Sequence, residues 1–324
     1  MRYLLILFTC SLLISCLKNH DEIVPDLDLE QGKPAGGIVS QTQINNENGL
    51  VTFEMTIFAV DVYGNFIENL NQDNFALFNN TPFGIQAGVE NLSLIISESK
   101  PAFSAAMLFD ESISIEDSDP LDARIDAGLA FANKIKSDEE ASIAGFAGTF
   151  TFLLGFTNNV EALTETILQL KNNQSSTAIF HSVDEYLTYV NNNASSDNKS
   201  IIVFTDGGNN VNGITVQDVI EKANTNGVTV HMITLGSGAF NEDAKMLAFQ
   251  TGGTVMPAVD ALQLIALYGS LGDLLNGGNN YYTISLSFER DDRDWIAGDE
   301  ITGNLDLQFS EEFVVRYPYS FKVE

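Results

Sequence analysis

The spacing of hydrophobic and polar residues changes twice along the chain. From Leu50 apolar residues alternate with polar ones, as expected for half-buried strands, and short strand-like runs continue to about residue 96. The same alternation returns after Gly277 and continues to Val323. Two β-rich flanks therefore enclose a central region of different character.

The central region alternates buried strands with helices. Continuous apolar runs, such as 102–109, 201–205 and Val228–Leu235, predict strands that are covered on both faces, which is typical of a parallel sheet. Between them, apolar residues recur at spacings of three and four, which predicts helices such as Val216–Asn226 and Glu242–Gln250. The order β-α-β-β-α-α-β-α-β-α-β-α predicts an α/β fold with a doubly wound, mostly parallel, Rossmann-like sheet.

The two β-rich flanks are each too short to form a good hydrophobic core alone. We therefore expect the α/β domain to be inserted in a small antiparallel β-sandwich built from both flanks, with two separate small β caps as the alternative. The predicted boundaries are a lipoprotein signal peptide at 1–15, a flexible linker at 16–40, an N-terminal part of the sandwich at 41–98, the α/β domain at 99–276, and C-terminal strands at 277–324 that complete the sandwich.

The first residues predict export and lipid attachment. Residues 3–14 form an apolar run that is too short to span a bilayer but suits the core of a secretory signal. The sequence Leu-Ile-Ser-Cys at 13–16 resembles the lipobox of bacterial lipoproteins, which implies lipidation of Cys16. An ordinary signal peptide with an incidental cysteine is the alternative. The resemblance implies a lipid-anchored protein of the cell envelope, and Leu17 favours the outer membrane, with the periplasmic or surface face left open.

The charge balance narrows the classes of partner. The chain has 15 Lys and Arg against 44 Asp and Glu, a net charge of -29, which repels phosphate backbones and argues against nucleic-acid binding. Cys10 lies in the segment predicted to be removed, so Cys16 would be the single cysteine of the mature chain. A disulfide and a thiol nucleophile in the folded region are therefore both excluded.

Polar residues follow two predicted strands at their carboxyl ends. Asp110 ends the first strand of the α/β region, with Ser112 and Ser114 at alternate positions after it, and Asp206 follows the run at 201–205. In open α/β sheets, ligands bind beyond the carboxyl ends of the strands. Carboxylate and hydroxyl oxygens are the donors that Mg²⁺ prefers, although each piece taken alone could be a turn or a helix cap.

Three segments resemble the metal-ion-dependent adhesion site of the von Willebrand factor A (VWA) domain in order and spacing. They are Asp110-Glu111-Ser112-Ile113-Ser114, Thr177-Ala178-Ile179-Phe180 and Phe204-Thr205-Asp206-Gly207. The resemblance covers roughly residues 99–276 and departs at Ser175-Ser176, where many members have Gly-Gly. It implies bound Mg²⁺, with Mn²⁺ or Ca²⁺ as alternatives. The ligands that it implies are Asp110, Ser112, Ser114, Thr177 and Asp206.

This ligand set implies binding rather than catalysis. Two carboxylates and three hydroxyls leave the cation electrophilic, with a position open to an oxygen of a partner. We therefore expect a lipid-anchored envelope protein, not an enzyme, that holds an Asp or Glu carboxylate of a protein or extracellular-matrix partner. The alternatives are a structural subunit of an envelope or surface assembly without metal-mediated recognition, and a metal-dependent hydrolase that uses Glu111 as its base. The acidic loop at 291–295 could hold Ca²⁺ or form a solvated turn.

Overall fold

A computed structural model describes the chain over residues 32–80, 84–171, 176–236, 240–308 and 313–324. Its strands are, in chain order, β1 (Ala35–Glu47), β2 (Leu50–Val60), β3 (Phe75–Asn79), β4 (Ile85–Ile96), β5 (Phe103–Asp110), β6 (Glu140–Phe146), β7 (Phe150–Thr157), β8 (Asn198–Thr205), β9 (Val228–Leu235), β10 (Val255–Ala258), β11 (Asn280–Arg290), β12 (Glu300–Gln308) and β13 (Val314–Lys322). Its helices are α1 (Ile115–Ser118), α2 (Ala123–Ala132), α3 (Val160–Ile167), α4 (Ile179–Asn193), α5 (Val216–Asn226), α6 (Glu242–Gln250) and α7 (Gln263–Asn276). The bounds of α5, α6 and β9 are those that the hydrophobic pattern predicts.

One long sheet runs through the described part of the molecule. Its ten strands lie in the order β4-β11-β2-β1-β10-β9-β8-β5-β6-β7. From β10 to β6 neighbouring strands are parallel, and β7 is antiparallel to β6. The strands from β4 to β1 are antiparallel, and β1 joins the two halves where Ile38 pairs with Val255 on β10. A second, antiparallel sheet has the order β13-β12-β3. The predicted fold class is therefore confirmed.

Helices cover both faces of the parallel half, which explains its continuous apolar runs. On one face α2, α3 and α7 contribute residues such as Phe131 and Tyr268 to the same hydrophobic cluster as Phe103 of β5. On the other face α4, α5 and α6 contribute residues such as Tyr186 and Leu247 to a second hydrophobic cluster. Every residue of β5 is buried, as expected for a central strand between two helical layers.

The antiparallel half forms a sandwich with the three-stranded sheet. Strands from the two flanks pair directly, because β11 lies between β2 and β4 and β12 pairs with β3. An aromatic cluster fills the space between the sheets, with the rings of Phe53 and Phe321 stacked at 4.2 Å. Trp295 is buried there, and its indole N–H donates to the carbonyl oxygen of Phe288 at 2.9 Å. Apart from the end of the linker, the predicted domain boundaries stay predictions.

The predicted linker at 16–40 extends too far into the fold. Strand β1 begins at Ala35 and lies between β2 and β10, with Ala35 and Ile38 fully buried. Gly36 and Gly37 have the composition of a linker, but in the fold they permit close packing of neighbouring side chains against β1. A Cβ atom at Gly36 would collide with Phe58 and Tyr317. Residues 16–31, Cys16 and the predicted signal peptide at 1–15 lie outside the described residues.

Strand β4 is longer than the sequence predicts. The strand-like runs at 84–89 and 92–96 form a single strand, β4, because a bulge near Glu90 absorbs the break in alternation.

Within the described ranges, no helix has both the length and the apolar character that crossing a bilayer would require.

Candidate metal centre

The candidate site lies at the carboxyl edge of the parallel strands, where the path of the chain diverges. Strand β5 has β6 on one side and β8 on the other, so the chain leaves β5 in one direction and returns on the opposite side. Asp110 is the last residue of β5, and Asp206 directly follows β8. The register pairs Phe109 with Phe204, which brings the two aspartates to the same crevice. Such a switch point is where open α/β sheets bind ligands.

Four of the five predicted ligands form one hydrogen-bonded chain. The backbone amide of Ser112 donates to Oδ1 of Asp110 at 2.8 Å. The hydroxyl oxygens of Ser112 and Ser114 lie 3.1 Å apart, and the Ser114 hydroxyl donates to Oδ1 of Asp206 at 2.8 Å. The first and third segments of the motif therefore meet as the sequence predicts.

Thr177 reaches this group indirectly. It is buried just before α4, and its amide donates to the side-chain oxygen of Asn210 at 2.8 Å. The Asn210 amide in turn donates to the carbonyl oxygen of Thr177 at 3.0 Å. Among the described residues, no hydrogen bond joins Thr177 directly to the other four predicted ligands. These paired bonds tie the Thr177 segment to the loop that carries Asp206.

The structure adds two hydroxyl groups, those of Thr205 and Ser118, that the sequence did not predict as parts of the site. The Thr205 hydroxyl donates to Oδ2 of Asp110 at 2.7 Å, and the Ser118 hydroxyl donates to Oδ2 of Asp206 at 2.5 Å. Thr205 precedes a predicted ligand, so its place at the end of a buried strand was a usable signal. Ser118 lies on the short helix α1, whose position relative to Asp206 had no signal in the sequence.

A buried ion pair supports the segment that contains Ser118. The Asp119 carboxylate accepts hydrogen bonds from the backbone amides of Ala123 at 2.7 Å and Arg124 at 3.0 Å. The guanidinium group of Arg124 donates to Asp119 at 3.2 Å and to Asp122 at 2.7 Å. The Asp119 carboxylate therefore ties the turn after α1 to the start of α2, which positions Ser118 beside Asp206.

The electrostatics of the site favour a cation. Asp110 is fully buried, and this burial raises the pKa of its carboxyl to about 6, against the lowering effect of its bonds to Ser112 and Thr205. The nearby Asp206 carboxylate raises it further. A positive charge in the crevice would therefore relieve both the desolvation and the repulsion of the ionised carboxylates.

The donor set also fits the group that the family implies. When a cation holds oxygens at about 2.1 Å and at right angles, neighbouring oxygens lie about 3 Å apart, as for octahedral Mg²⁺. The separations of 3.1 Å between the Ser112 and Ser114 hydroxyls and 2.8 Å from Ser114 to Asp206 agree with this spacing. The described ranges contain no cluster of three or more His, Cys, Asp or Glu that could hold a metal. The candidate site instead combines two carboxylates with hydroxyls.

The acidic loop at 291–295 has a different environment. Arg290 donates to both oxygens of Asp292 at 2.7 and 2.8 Å, and Arg293 donates to both oxygens of Asp299 at 2.6 and 2.7 Å. These bonds hold the pKa of both carboxyls below the ordinary value. Arginine side chains therefore already provide the positive charge that a Ca²⁺ ion would bring.

Two histidines of the described ranges are explained without a metal. His231 is buried in β9, where its Nδ1 lies 3.0 Å from the Thr254 hydroxyl, and burial lowers its pKa to about 3. His181 lies on α4 with its Nε2 3.5 Å from Glu185. The first is a neutral core residue and the second a surface residue.

Comparison with known proteins identifies the domain. The sequence profile of the von Willebrand factor type A domain matches residues 106–268, about half of the chain, and this range contains all five predicted ligands. No curated protein sequence matches the chain.

Several solved structures are similar in fold. One is a von Willebrand factor type A protein from Catenulispora acidiphila, 11% identical, with a TM-score of 0.48, covering 90% of this chain and 73% of that one. Another is the vWF domain of the type V pili tip protein Mfa5 from Porphyromonas gingivalis, 12% identical, with a TM-score of 0.44, covering 56% of this chain and 96% of that one. A third is proximal thread matrix protein 1 from the mussel byssus with a zinc-occupied MIDAS motif, 18% identical, with a TM-score of 0.45, covering 55% of this chain and 49% of that one. At these values the similarity concerns the fold and carries no information about function.

Proposed function

Because the chain belongs to the von Willebrand factor type A domain family, we propose that it binds a protein or matrix partner through a divalent metal ion. Domains of this family commonly bind protein ligands. The ion is Mg²⁺, with Mn²⁺ or Ca²⁺ as alternatives, and the group recognised on the partner is an Asp or Glu carboxylate. The proposed metal ligands are Asp110, Ser112, Ser114, Thr177 and Asp206.

One observation carries the proposal. Carboxylate and hydroxyl oxygens from two separate segments converge at the switch point of the sheet, with the Ser114 hydroxyl bound to Asp206 beside the buried Asp110. The bound ion would supply positive charge and a coordination position for the partner's oxygen. The residues of this chain do the remaining work, because the Ser112 amide and the Thr205 hydroxyl orient Asp110 while Ser118 orients Asp206.

The position of Glu111 supports binding rather than hydrolysis. Its Oε1 accepts a hydrogen bond from the backbone amide of Lys171 at 2.6 Å, and burial raises the pKa of its carboxyl. A general base must lie within hydrogen-bond reach of the proton that it removes. A side chain that is bound to a backbone amide of another loop supports a structural role.

Lipid attachment at Cys16 and a place in the cell envelope complete the proposal, with the outer membrane favoured by Leu17. The sequence Leu-Ile-Ser-Cys at 13–16 supports this part of the proposal. Replacing the acceptor, Cys16→Ala, should remove radiolabelled fatty acid from the protein and shift it from the membrane to the soluble fraction. Unchanged labelling would contradict a lipid anchor at this residue.

Calorimetric titration with Mg²⁺ and Mn²⁺ tests the metal site. Wild type should bind, and Asp110→Ala should lose measurable binding because it removes one of the two charged ligands. Asp291→Ala is the matched control, since Asp291 is an exposed aspartate in the distant acidic loop. Equal binding by Asp110→Ala and wild type would contradict the proposal.

A structural role in an envelope or surface assembly is the second candidate. It is favoured by the exposed Leu94, Ile95 and Ile96 at the end of β4, which is an edge strand of the long sheet. Exposed apolar edge strands are sites of association with another chain. Chelation by EDTA separates the two functions, because it should abolish metal-mediated binding and leave an assembly through this edge intact.

A further inference from the structure

A cavity of about 560 Å³ opens beside the candidate metal centre. It lies between the segment that follows α1 and the loop from β10 to α7, and its walls include Pro120, Leu121, Val259 and Leu262. We refer to it as the α7 cavity. Its volume falls within the range of roughly 300 to 1,000 Å³ that is typical of ligand clefts. It is therefore large enough to take part of another molecule.

The rim of the α7 cavity carries large aliphatic side chains that the described residues leave exposed. Leu121 is 75% exposed and Val259 is 59% exposed, and both line the cavity. Ile113, within the metal-binding segment itself, is 57% exposed. Exposed apolar groups that cluster around a polar site are typical of a recognition surface, because a bound partner removes them from water.

Ser118 connects the α7 cavity to the metal centre. This residue lines the cavity, and its hydroxyl donates to Oδ2 of Asp206 at 2.5 Å. The cavity therefore lies next to Asp206, within reach of a segment that places a carboxylate at the ion. In an extended segment, alternate side chains point to the same face and are about 7 Å apart. A segment that runs from the ion across the cavity would direct the side chain two positions from its carboxylate into the cavity.

The charges around the α7 cavity restrict the partner further. Asp117 and Asp260 lie in its lining, and Asp260 forms an ion pair with Lys33. The whole chain has a net charge of -29. A basic surface around the recognised carboxylate would offset the repulsion and speed the approach of the partner. A second copy of this chain has the same negative charge and does not meet this condition.

We propose that the α7 cavity binds an apolar side chain of the same partner segment that supplies the carboxylate. This inference rests on the proposed metal-dependent function and adds the chemistry of the partner. The recognised segment is extended and carries an Asp or Glu, a large apolar residue two positions away, and basic residues outside this pair. Leu121 and Val259 cover the apolar residue, and the ion holds the carboxylate.

Selection of random displayed peptides on the full chain in Mg²⁺ tests this inference. Peptides that are retained in Mg²⁺ and released by EDTA should share an acidic residue with a large apolar residue two positions away. The same synthetic peptides should bind Leu121→Ser and Val259→Ser about tenfold more weakly than wild type, while the affinity for Mg²⁺ alone stays the same. Ile296→Ser is the matched control. Ile296 is 59% exposed, as is Val259, but it lies in the loop between β11 and β12 and does not line the cavity.

The outcomes separate this inference from the function on which it rests. Mg²⁺-dependent peptides with an acidic residue but no apolar preference, or with equal affinity for Leu121→Ser, would overturn the inference and leave the metal-dependent function standing. Failure to select any Mg²⁺-dependent peptide, together with no binding of Mg²⁺, would overturn both. Mg²⁺-dependent self-association that Leu121→Ser abolishes would identify a second copy as the occupant and would overturn the stated partner.

Discussion

Two acidic regions of this chain are similar in composition and differ in what surrounds their carboxylates. In the candidate metal centre, Asp110 and Asp206 are bound by hydroxyls and a backbone amide. In the loop at 290–299, Asp292 and Asp299 are bound by arginine side chains. The pKa of Asp110 is raised by burial, whereas the pKa values of Asp292 and Asp299 are lowered by their arginine partners. Within the described residues, no Lys or Arg side chain is hydrogen-bonded to Asp110 or Asp206, whereas Arg290 and Arg293 are bonded to Asp292 and Asp299.

The difference shows why a count of acidic residues is a poor guide to a metal site. The 290–299 loop has more carboxylates close together in sequence, but guanidinium groups already neutralise them. The metal centre has two carboxylates from distant positions and hydroxyl groups that add no charge. A bound cation therefore stabilises the second arrangement much more than the first.

Giving the metal centre an internal cation should abolish its metal binding. In Ser114→Lys, an ammonium group would lie beside Asp206, as arginine does beside Asp299, because the Ser114 hydroxyl is 2.8 Å from that carboxylate and the residue is exposed. We expect no Mg²⁺ binding by calorimetry and unchanged or higher thermal stability in EDTA. Ser114→Ala, which removes one neutral ligand, should weaken Mg²⁺ binding by about 10- to 100-fold. Tight Mg²⁺ binding by Ser114→Lys would contradict the location of the site.

The pH dependence of stability should have opposite signs in the two regions. The pKa of Asp110 is raised from 3.8 to about 6 in the folded chain, so its contribution to the free energy of unfolding is complete below about pH 4 and is lost as the pH rises through about 6. The loss is about 3 kcal/mol without metal. Asp299 has a lowered pKa, so its contribution is lost as the pH falls.

Urea unfolding of wild type and Asp110→Asn in EDTA, at a series of pH values, measures the contribution of Asp110 to the free energy of unfolding. Subtracting one curve from the other removes the contribution of His231, whose lowered pKa acts in the opposite direction. Relative to Asp110→Asn, wild type should lose stability between about pH 4 and pH 7. Mg²⁺ should restore it at neutral pH. A constant difference at all pH values would show that Asp110 does not titrate in this range.

Removing the hydroxyl that holds Asp110 should weaken the site without removing a proposed ligand. Thr205→Val deletes a buried hydrogen bond to a carboxylate and should cost about 1.5–3 kcal/mol of stability and about tenfold in Mg²⁺ affinity. Thr234→Val is the matched control. Thr234 is the register partner of Thr205 on β9, is equally buried, and has no hydrogen-bond partner for its hydroxyl within the described residues. The control should be neutral or stabilising, and equal effects of the two substitutions would contradict the role of Thr205.

The smallest effect should come from the arginine-paired loop. Asp292→Asn removes an exposed ion pair with Arg290, and exposed pairs contribute little because water and salt screen them. We expect no measurable change in the melting temperature and no change in Mg²⁺ affinity. Loss of Mg²⁺ binding in this variant would place the metal in the acidic loop rather than at Asp110 and Asp206.

Local sequence patterns predicted several helices and strands and part of the candidate site. The periodic spacing of apolar residues predicted α5, α6 and β9 to the residue, because each helix buries one face and β9 is buried except at Thr229. The order of the motif predicted that Asp110 and Asp206 meet, since both end neighbouring parallel strands. Residues that act through long-range contact were missed, including Ser118 on α1 and Asn210, which holds Thr177.

The fold class and the residue types of the candidate site follow from the sequence alone, because period, order of elements and motif spacing are local properties. Long-range contacts in the folded chain determine which carboxylates have no cation beside them among the described residues, where the α7 cavity opens, and how the two halves of the sheet join. Strand β1 shows the reason. Its glycines have the composition of a linker, and only the closeness of Phe58 and Tyr317 shows that they pack in the centre of the sheet. Contacts between residues that are distant in sequence arise only when the whole chain has folded.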